Sequence, residues 1–229
     1  MREFSQTCER IAATTKKREK TTIVAEYLKS GMRDEAAVST IFLSGRPFPV
    51  WEETTLQVGG SLLWRTVAEL AGKNEKDLTA SYRKLGDLGA VAGEVLPDRK
   101  SQLNVLDVEK SFREIAAARG PSAKGALTRD LLSRAAPLEA KYIVKIMTGD
   151  LRIGLKESLV EEAIAKAYGA TLPEVQRANM LLGDIGGTLR LAAENKLSTA
   201  RMRLFHPIGF MLASPAETAE DAAGFAGLG

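Results

Sequence analysis

Apolar residues recur along this chain at intervals of three and four, the spacing that gathers them on one face of a helix. Phe4, Cys8 and Ile11 form the first stripe, closed by Thr14–Thr15 and the charged run Lys16–Lys20. Ile23, Val24, Tyr27 and Leu28 form a second, with Gly31 placed as its C-terminal cap. Asp34 is expected to cap a third helix, with Ala37, Val38, Ile41 and Phe42 inward. The pattern lapses over Ser44–Gly60, SGRPFPVWEETTLQVGG, whose prolines and glycines predict a long structured loop. It resumes in SLLWRTVAELAG, with Ser61 as expected N-cap and Gly72 as the stop.

Further helices are predicted as a pair joined near Gly86, then over about Asp107–Ala118, Ala126–Arg134, Pro137–Met147 and Glu157–Tyr168, and a last pair hinged near Gly183. Pro137 falls in a first turn, where its missing N–H costs nothing. Only a short stretch around Val105–Leu106 suggests a strand, so the expected class is all-α. The segment 206–229, HPIGFMLASPAETAEDAAGFAGLG, has no amphipathic stripe. The predicted organisation is a helical domain over 1–205 and a connector over 206–229.

Two stretches share a pattern. LQVGGSLLWRTVAELAG (56–72) and LRIGLKESLVEEAIAKAYG (151–169) each run from Leu-x-Val/Ile-Gly through a polar step into an apolar helix ended by glycine, with Gly59 matching Gly154. Two helix-loop-helix units of this kind suggest a pseudo-twofold arrangement. A solenoid of helical repeats is disfavoured, since its period would be about 40 residues.

Composition narrows the setting. The lone Cys8 excludes an internal disulfide, and with one histidine, His206, there is no zinc-binding cluster. No apolar run reaches the roughly 18–20 residues that span a bilayer, and the polar start MREFSQTCER is no secretory signal. A soluble, reducing, cytoplasmic location and no membrane partner are expected. Residues 1–207 hold 32 Lys and Arg against 26 acids, a net +6, compatible with a polyanionic partner.

The chemistry of the breaks suggests what that partner meets. A helix N-terminus exposes N–H groups without intrahelical partners and the positive end of the helix dipole. In TGDLRIGLKESLV (148–160), Gly149 ends one helix, Gly154 leads into the next, Arg152 lies between, and Lys156 is expected in the following first turn. A lysine there opposes the dipole unless an anion is near. Arg46 and the Gly59–Gly60–Ser61 helix start are the corresponding anion contacts of the first loop, and GPSAKGAL offers Lys124 behind a capping Ser122. Phe48 and Trp51 are expected to plug the helical core, Lys16–Lys20 to form a solvated helix start, and His206 to be structural. Glu161–Glu162 are placed on an exposed helix face. Neither a phosphate-binding GxxxxGK[ST] loop nor a GxSxG nucleophile elbow is present.

FLSGRPFPVWEETTLQVGGSLLWRTVAELAG, LLSRAAPLEAKYIVKIMTGDLRIGLKESLVEEAIAKAYG and HPIGFMLA together resemble the N-terminal DNA-binding domain of ATP-dependent DNA ligases of the archaeal and bacterial type. The resemblance runs in order from about Phe4 to Ala213. It implies an all-helical domain with internal pseudo-twofold symmetry, gripping the minor groove on both sides of a nick, with adenylation and OB domains completing a ring around the duplex. It implies roles in DNA replication, repair and recombination, and ATP and Mg as cofactors of the parent enzyme rather than of this stretch. The DNA contacts it transfers are Gly149, Arg152, Gly154 and Lys156, then Gly59, Gly60 and Ser61, with Lys124 and Arg46 beside them. Two departures stand out. The family's nucleotide-accepting Lys-x-Asp-Gly motif occurs nowhere in these 229 residues, so the chain is expected to be a domain of a ligase, excised or naturally truncated, that does not ligate alone. Gly60 stands where the family commonly has an acid.

Overall fold

A computed structural model describes residues 1–206. Among them the chain forms twelve α-helices and no strand: α1 (Arg2–Ala12), α2 (Lys17–Ser30), α3 (Arg33–Leu43), α4 (Gly60–Ala71), α5 (Glu75–Leu85), α6 (Leu88–Val95), α7 (Val105–Ala117), α8 (Pro121–Arg134), α9 (Pro137–Met147), α10 (Glu157–Tyr168), α11 (Leu172–Leu182) and α12 (Ile185–Ala193), followed by a 3₁₀ turn at Leu197–Thr199. The all-α class holds. Most of the connector expected over 206–229 lies outside the described residues.

Several boundaries differ from the sequence reading for local reasons. Val105–Leu106 is the first turn of α7 and not a strand, because Asn104 and Asp107 form a reciprocal capping box just ahead of it. Proline at its first position starts α8 at Pro121, so Ser122 lies inside the helix. Met32 is the N-cap of α3, and Asp34 sits in the first turn, 3.2 Å from Arg190. Gly31 ends α2 in an extended conformation and not a left-handed one. Ser61 is the second residue of α4, whose N-cap is Gly59.

The chain is an internal duplication. The first three helices recur as α7–α9 at a constant spacing of 104 positions, as from Lys20 to Lys124 and from Gly45 to Gly149. The next three recur as α10–α12 at 97 positions, as from Gly72 to Gly169 and from Asp87 to Asp184. The change falls in the connection between third and fourth helix, which is longer in the first half (44–59) than in the second (148–156). The sequence repeat is therefore real but misregistered after the loops: Gly59 corresponds to Lys156, both N-caps, and Gly154 corresponds to Gln57, both left-handed.

The two halves interlock. α2 packs on α10 as α8 packs on α4, and α6 packs on α9 as α12 packs on α3. Both latter crossings depend on a glycine: a Cβ at Gly89 would stand 2.6 Å from the Lys141 carbonyl oxygen, and one at Gly186 would stand 2.8 Å from that of Ala37. The pseudo-twofold axis passes between Gly45 and Gly149, each in the left-handed region, with each built Cβ 4.0 Å from the other's carbonyl oxygen. Edge-to-face rings of Phe4, Phe42 and Phe112, at 6.1 and 5.5 Å, tie α1, α3 and α7 across the core.

Candidate nucleic-acid interface

Both loops start at the axis and lead to a helix N-terminus. In 148–156, buried Leu151 and Ile153 anchor the chain, and Arg152 projects between them at φ +48. Its Nε meets Asp150 Oδ2 at 2.6 Å and its Nη1 donates to the Gly86 carbonyl at 3.1 Å, while the side chain stays about half exposed. In the first loop Gln57, at φ +51, matches left-handed Gly154, and buried Leu56 matches Ile153. The plug expected there is present. Phe48 is buried with the Arg113 guanidinium 5.3 Å above its ring, and Trp51 donates its backbone N–H to the Gly183 carbonyl and stacks its ring on His206 at 4.1 Å. The loops together bound an open cleft of about 810 Å³, with Arg46, Gln57 and Gly59 on one side and Met147 and Gly149 on the other.

Donors are left open where the loops end. Five helices have a side chain closing their N-terminus, namely Asn74, Asp87, Asn104, Thr171 and Asp184. α4 and α10 have none, as is also true of α1, α2, α3, α8 and α9, but only α4 and α10 begin where the two loops end. The amide groups of Gly60 and Ser61, and of Glu157 and Ser158, have no acceptor among the described residues. A Cβ at Gly59 or Gly60 would meet nothing within 4 Å, so packing does not demand glycine at either position. Open space over unpartnered N–H groups is what an approaching oxyanion requires.

Three of the expected site residues stand differently. Gly154 adopts φ +63, and its missing Cβ would lie 2.7 Å from Lys20 Nζ, so glycine there makes room for the chain's own lysine. Lys156 is the exposed N-cap of α10 and not a first-turn residue. Lys124 cannot donate outward. It is 5% exposed, and its ammonium is bound by the carbonyls of Leu56, Ile115 and Ala116 at 2.8, 2.8 and 3.2 Å. Lys20, read as part of a solvated helix start, is likewise buried. Its place was visible in the sequence, four residues before Val24 on the same helical face. Gly149, Arg46, Gly60 and Ser61 are exposed or line the cleft.

The loops carry Arg46, Arg152 and Lys156 against Glu52, Glu53 and Asp150. Arg113 engages Glu52 at 2.9 Å and Arg152 engages Asp150, which leaves Arg46 and Lys156 without an acidic partner within 4.0 Å among the described residues. Beneath the second loop, burial raises the Asp87 carboxyl, but the Ala90 N–H and the Lys145 ammonium outweigh it and hold its pKa below the usual value. No group of three or more His, Cys, Asp or Glu is gathered to hold a metal ion among the described residues. No described helix is long and apolar enough to cross a membrane.

Comparison with known proteins agrees with this architecture. The family model for the DNA ligase N terminus matches residues 1–165. A probable DNA ligase of Koribacter versatilis is 61% identical over 226 residues, covering 97% of this chain and 39% of that protein. The DNA ligase of Methanopyrus kandleri is 33% identical over 232 residues, covering 96% of this chain and 42% of its own length. A probable DNA ligase of Opitutus terrae is 36% identical, with 25% of its length covered. The chain thus spans about two fifths or less of these relatives. With twelve duplicated helices and a match over most of its length, it belongs to the DNA ligase N-terminus family.

Proposed function

We propose that the helical domain over 1–205 binds duplex DNA without sequence preference, as the gripping module of an ATP-dependent ligase. The observation that carries this reading is the pair of uncapped helix N-termini, α4 and α10, reached by loops related by the internal pseudo-twofold. Such a pair suits two phosphate runs flanking one point on a duplex, hence a minor groove on either side of a nick. Amide groups and a dipole recognise phosphate and carry no base information. Arg46, Arg152 and Lys156 add charge at the rim, while Gly59, Gly60, Ser61 and Gly149 leave room for the backbone.

Residues 206–229 serve in this reading as the connector to an adenylation domain, with an OB domain beyond it. ATP and Mg act there, in a cytoplasmic enzyme of replication, repair and recombination. The chain itself has no Lys-x-Asp-Gly motif and forms no lysyl adenylate. Two assays test the proposal. Incubation with labelled ATP and magnesium should leave the chain unlabelled, and label on a protein lysine would refute the division of labour. Anisotropy titrations with nicked and intact duplexes of unrelated sequences should show one affinity per DNA form and a preference for the nicked one. Discrimination between sequences, or no preference for the nick, would contradict the reading.

A further inference from the structure

Lys20 and Lys124 occupy equivalent positions in the two halves, on α2 and α8, and each lies under one of the two loops. They are 6% and 5% exposed. Lys20 Nζ donates to Ile153 O at 2.6 Å and Gly154 O at 3.1 Å, as Lys124 Nζ donates to Leu56 O, Ile115 O and Ala116 O. Neither ammonium has a carboxylate within 4.0 Å among the described residues, whereas the third buried lysine, Lys145, is paired with Asp87 at 2.9 Å. Burying a cation among neutral carbonyls is expensive, and methionine would fill similar space without that cost. Two such cations, symmetry-related and under loops whose own side chains sum to no net charge, lack an electrostatic partner among the described residues.

The peptide geometry points the same way. A trans peptide directs its N–H opposite its carbonyl. Drawing the Leu56, Ile153 and Gly154 carbonyls inward therefore turns the N–H groups of Gln57, Gly154 and Leu155 outward, and none of the three has an acceptor among the described residues. We propose that Lys20 and Lys124 are a matched pair of positioning cations, which fix these loop amides toward the DNA phosphates and add their own charge to the binding. This rests on the DNA-binding reading above.

Lys20→Met and Lys124→Met test it by anisotropy with a nicked duplex across a salt series, alongside circular dichroism to establish folding. Together with Arg46, Arg152 and Lys156 the parent holds five cations at the loops, for a slope of log K against log salt of about −4.5. Each variant should bind about tenfold more weakly and flatten the slope by about 0.9. A folded variant that keeps the parent slope overturns the proposal, whatever its affinity. Should either variant fail to fold, the unsubstituted chain decides. Its Lys20 and Lys124 ammonium groups should give slowly exchanging ¹H–¹⁵N signals, assigned apart from that of buried Lys145, that shift when nicked duplex is added, and signals unmoved at saturation overturn the proposal. A parent that binds no duplex at all sinks the DNA reading itself, whereas a parent that binds beside variants of unchanged slope sinks only the lysine pair.

Discussion

Arg152 is held in a left-handed conformation between two buried neighbours, with its guanidinium braced by Asp150 and the Gly86 carbonyl. Those contacts aim it without consuming it. Arg152→Ala should weaken DNA binding by about 1–3 kcal/mol, the range for hydrogen bonds to charged groups, and leave the melting free energy within about 0.5 kcal/mol. Gly60 and Gly154 separate two reasons for glycine. Gly60→Ala should gain roughly 0.5–1 kcal/mol of helix stability and weaken DNA binding, since its Cβ enters open space over unpartnered amides. Gly154→Ala should cost about 1–2 kcal/mol in thermal melts for its left-handed backbone alone, with the contact to Lys20 added. A stable Gly154→Ala chain would contradict the assignment. The sequence placed glycines, arginine and lysine in this loop correctly, but a motif has no inside or outside. Whether Gly154 faces a phosphate or Lys20 depends on α2, more than a hundred residues away.

At the scale of elements, most helices were legible because apolar spacing and glycine stops are local signals: Pro137–Met147 and Glu157–Tyr168 fall where the pattern put them. What escaped the sequence was tertiary. The crossings of α6 on α9 and α12 on α3 each need a glycine against a carbonyl, and nothing local marks Gly89 or Gly186 as contact residues. Gly89→Ala and Gly186→Ala should each destabilise the fold by about 1–3 kcal/mol through overpacking, and a neutral result for either in chemical denaturation would contradict the crossing geometry. Asp87, between α5 and α6, joins this interface to the second loop through Lys145. Its folded pKa lies below the ordinary value of 3.8. The unfolded chain therefore binds the proton more tightly, so this contribution is fully present above about pH 4 and is lost as pH falls through the folded pKa. Asp87→Asn keeps a capping side chain for Ala90 but strands a buried lysine, which costs about 3–5 kcal/mol. It should also flatten the acid limb of a stability-against-pH curve, and an unchanged acid limb would contradict the pairing.

The whole molecule joins two copies of one six-helix unit so that each copy packs largely on the other, and the loops meet at the axis between Gly45 and Gly149. The duplication was visible in the sequence only where the loops enter their helices, and there in the wrong register, because the unequal loop lengths hide the equivalence of Gly59 and Lys156. Composition gave a mildly basic body, whereas the loops themselves are balanced in side-chain charge. In the proposed DNA-binding role, affinity therefore comes from helix ends and a few cations rather than from a broad basic face. That role is most directly tested by titrating the chain and an Arg152→Ala, Lys156→Glu double variant with a nicked duplex over a salt series. For the chain, the account predicts binding whose log K falls with log salt at a slope of about −3 or steeper. The double variant, still folded, should lose most of that binding. Salt-independent binding, or a double variant that binds as the parent does, would contradict it.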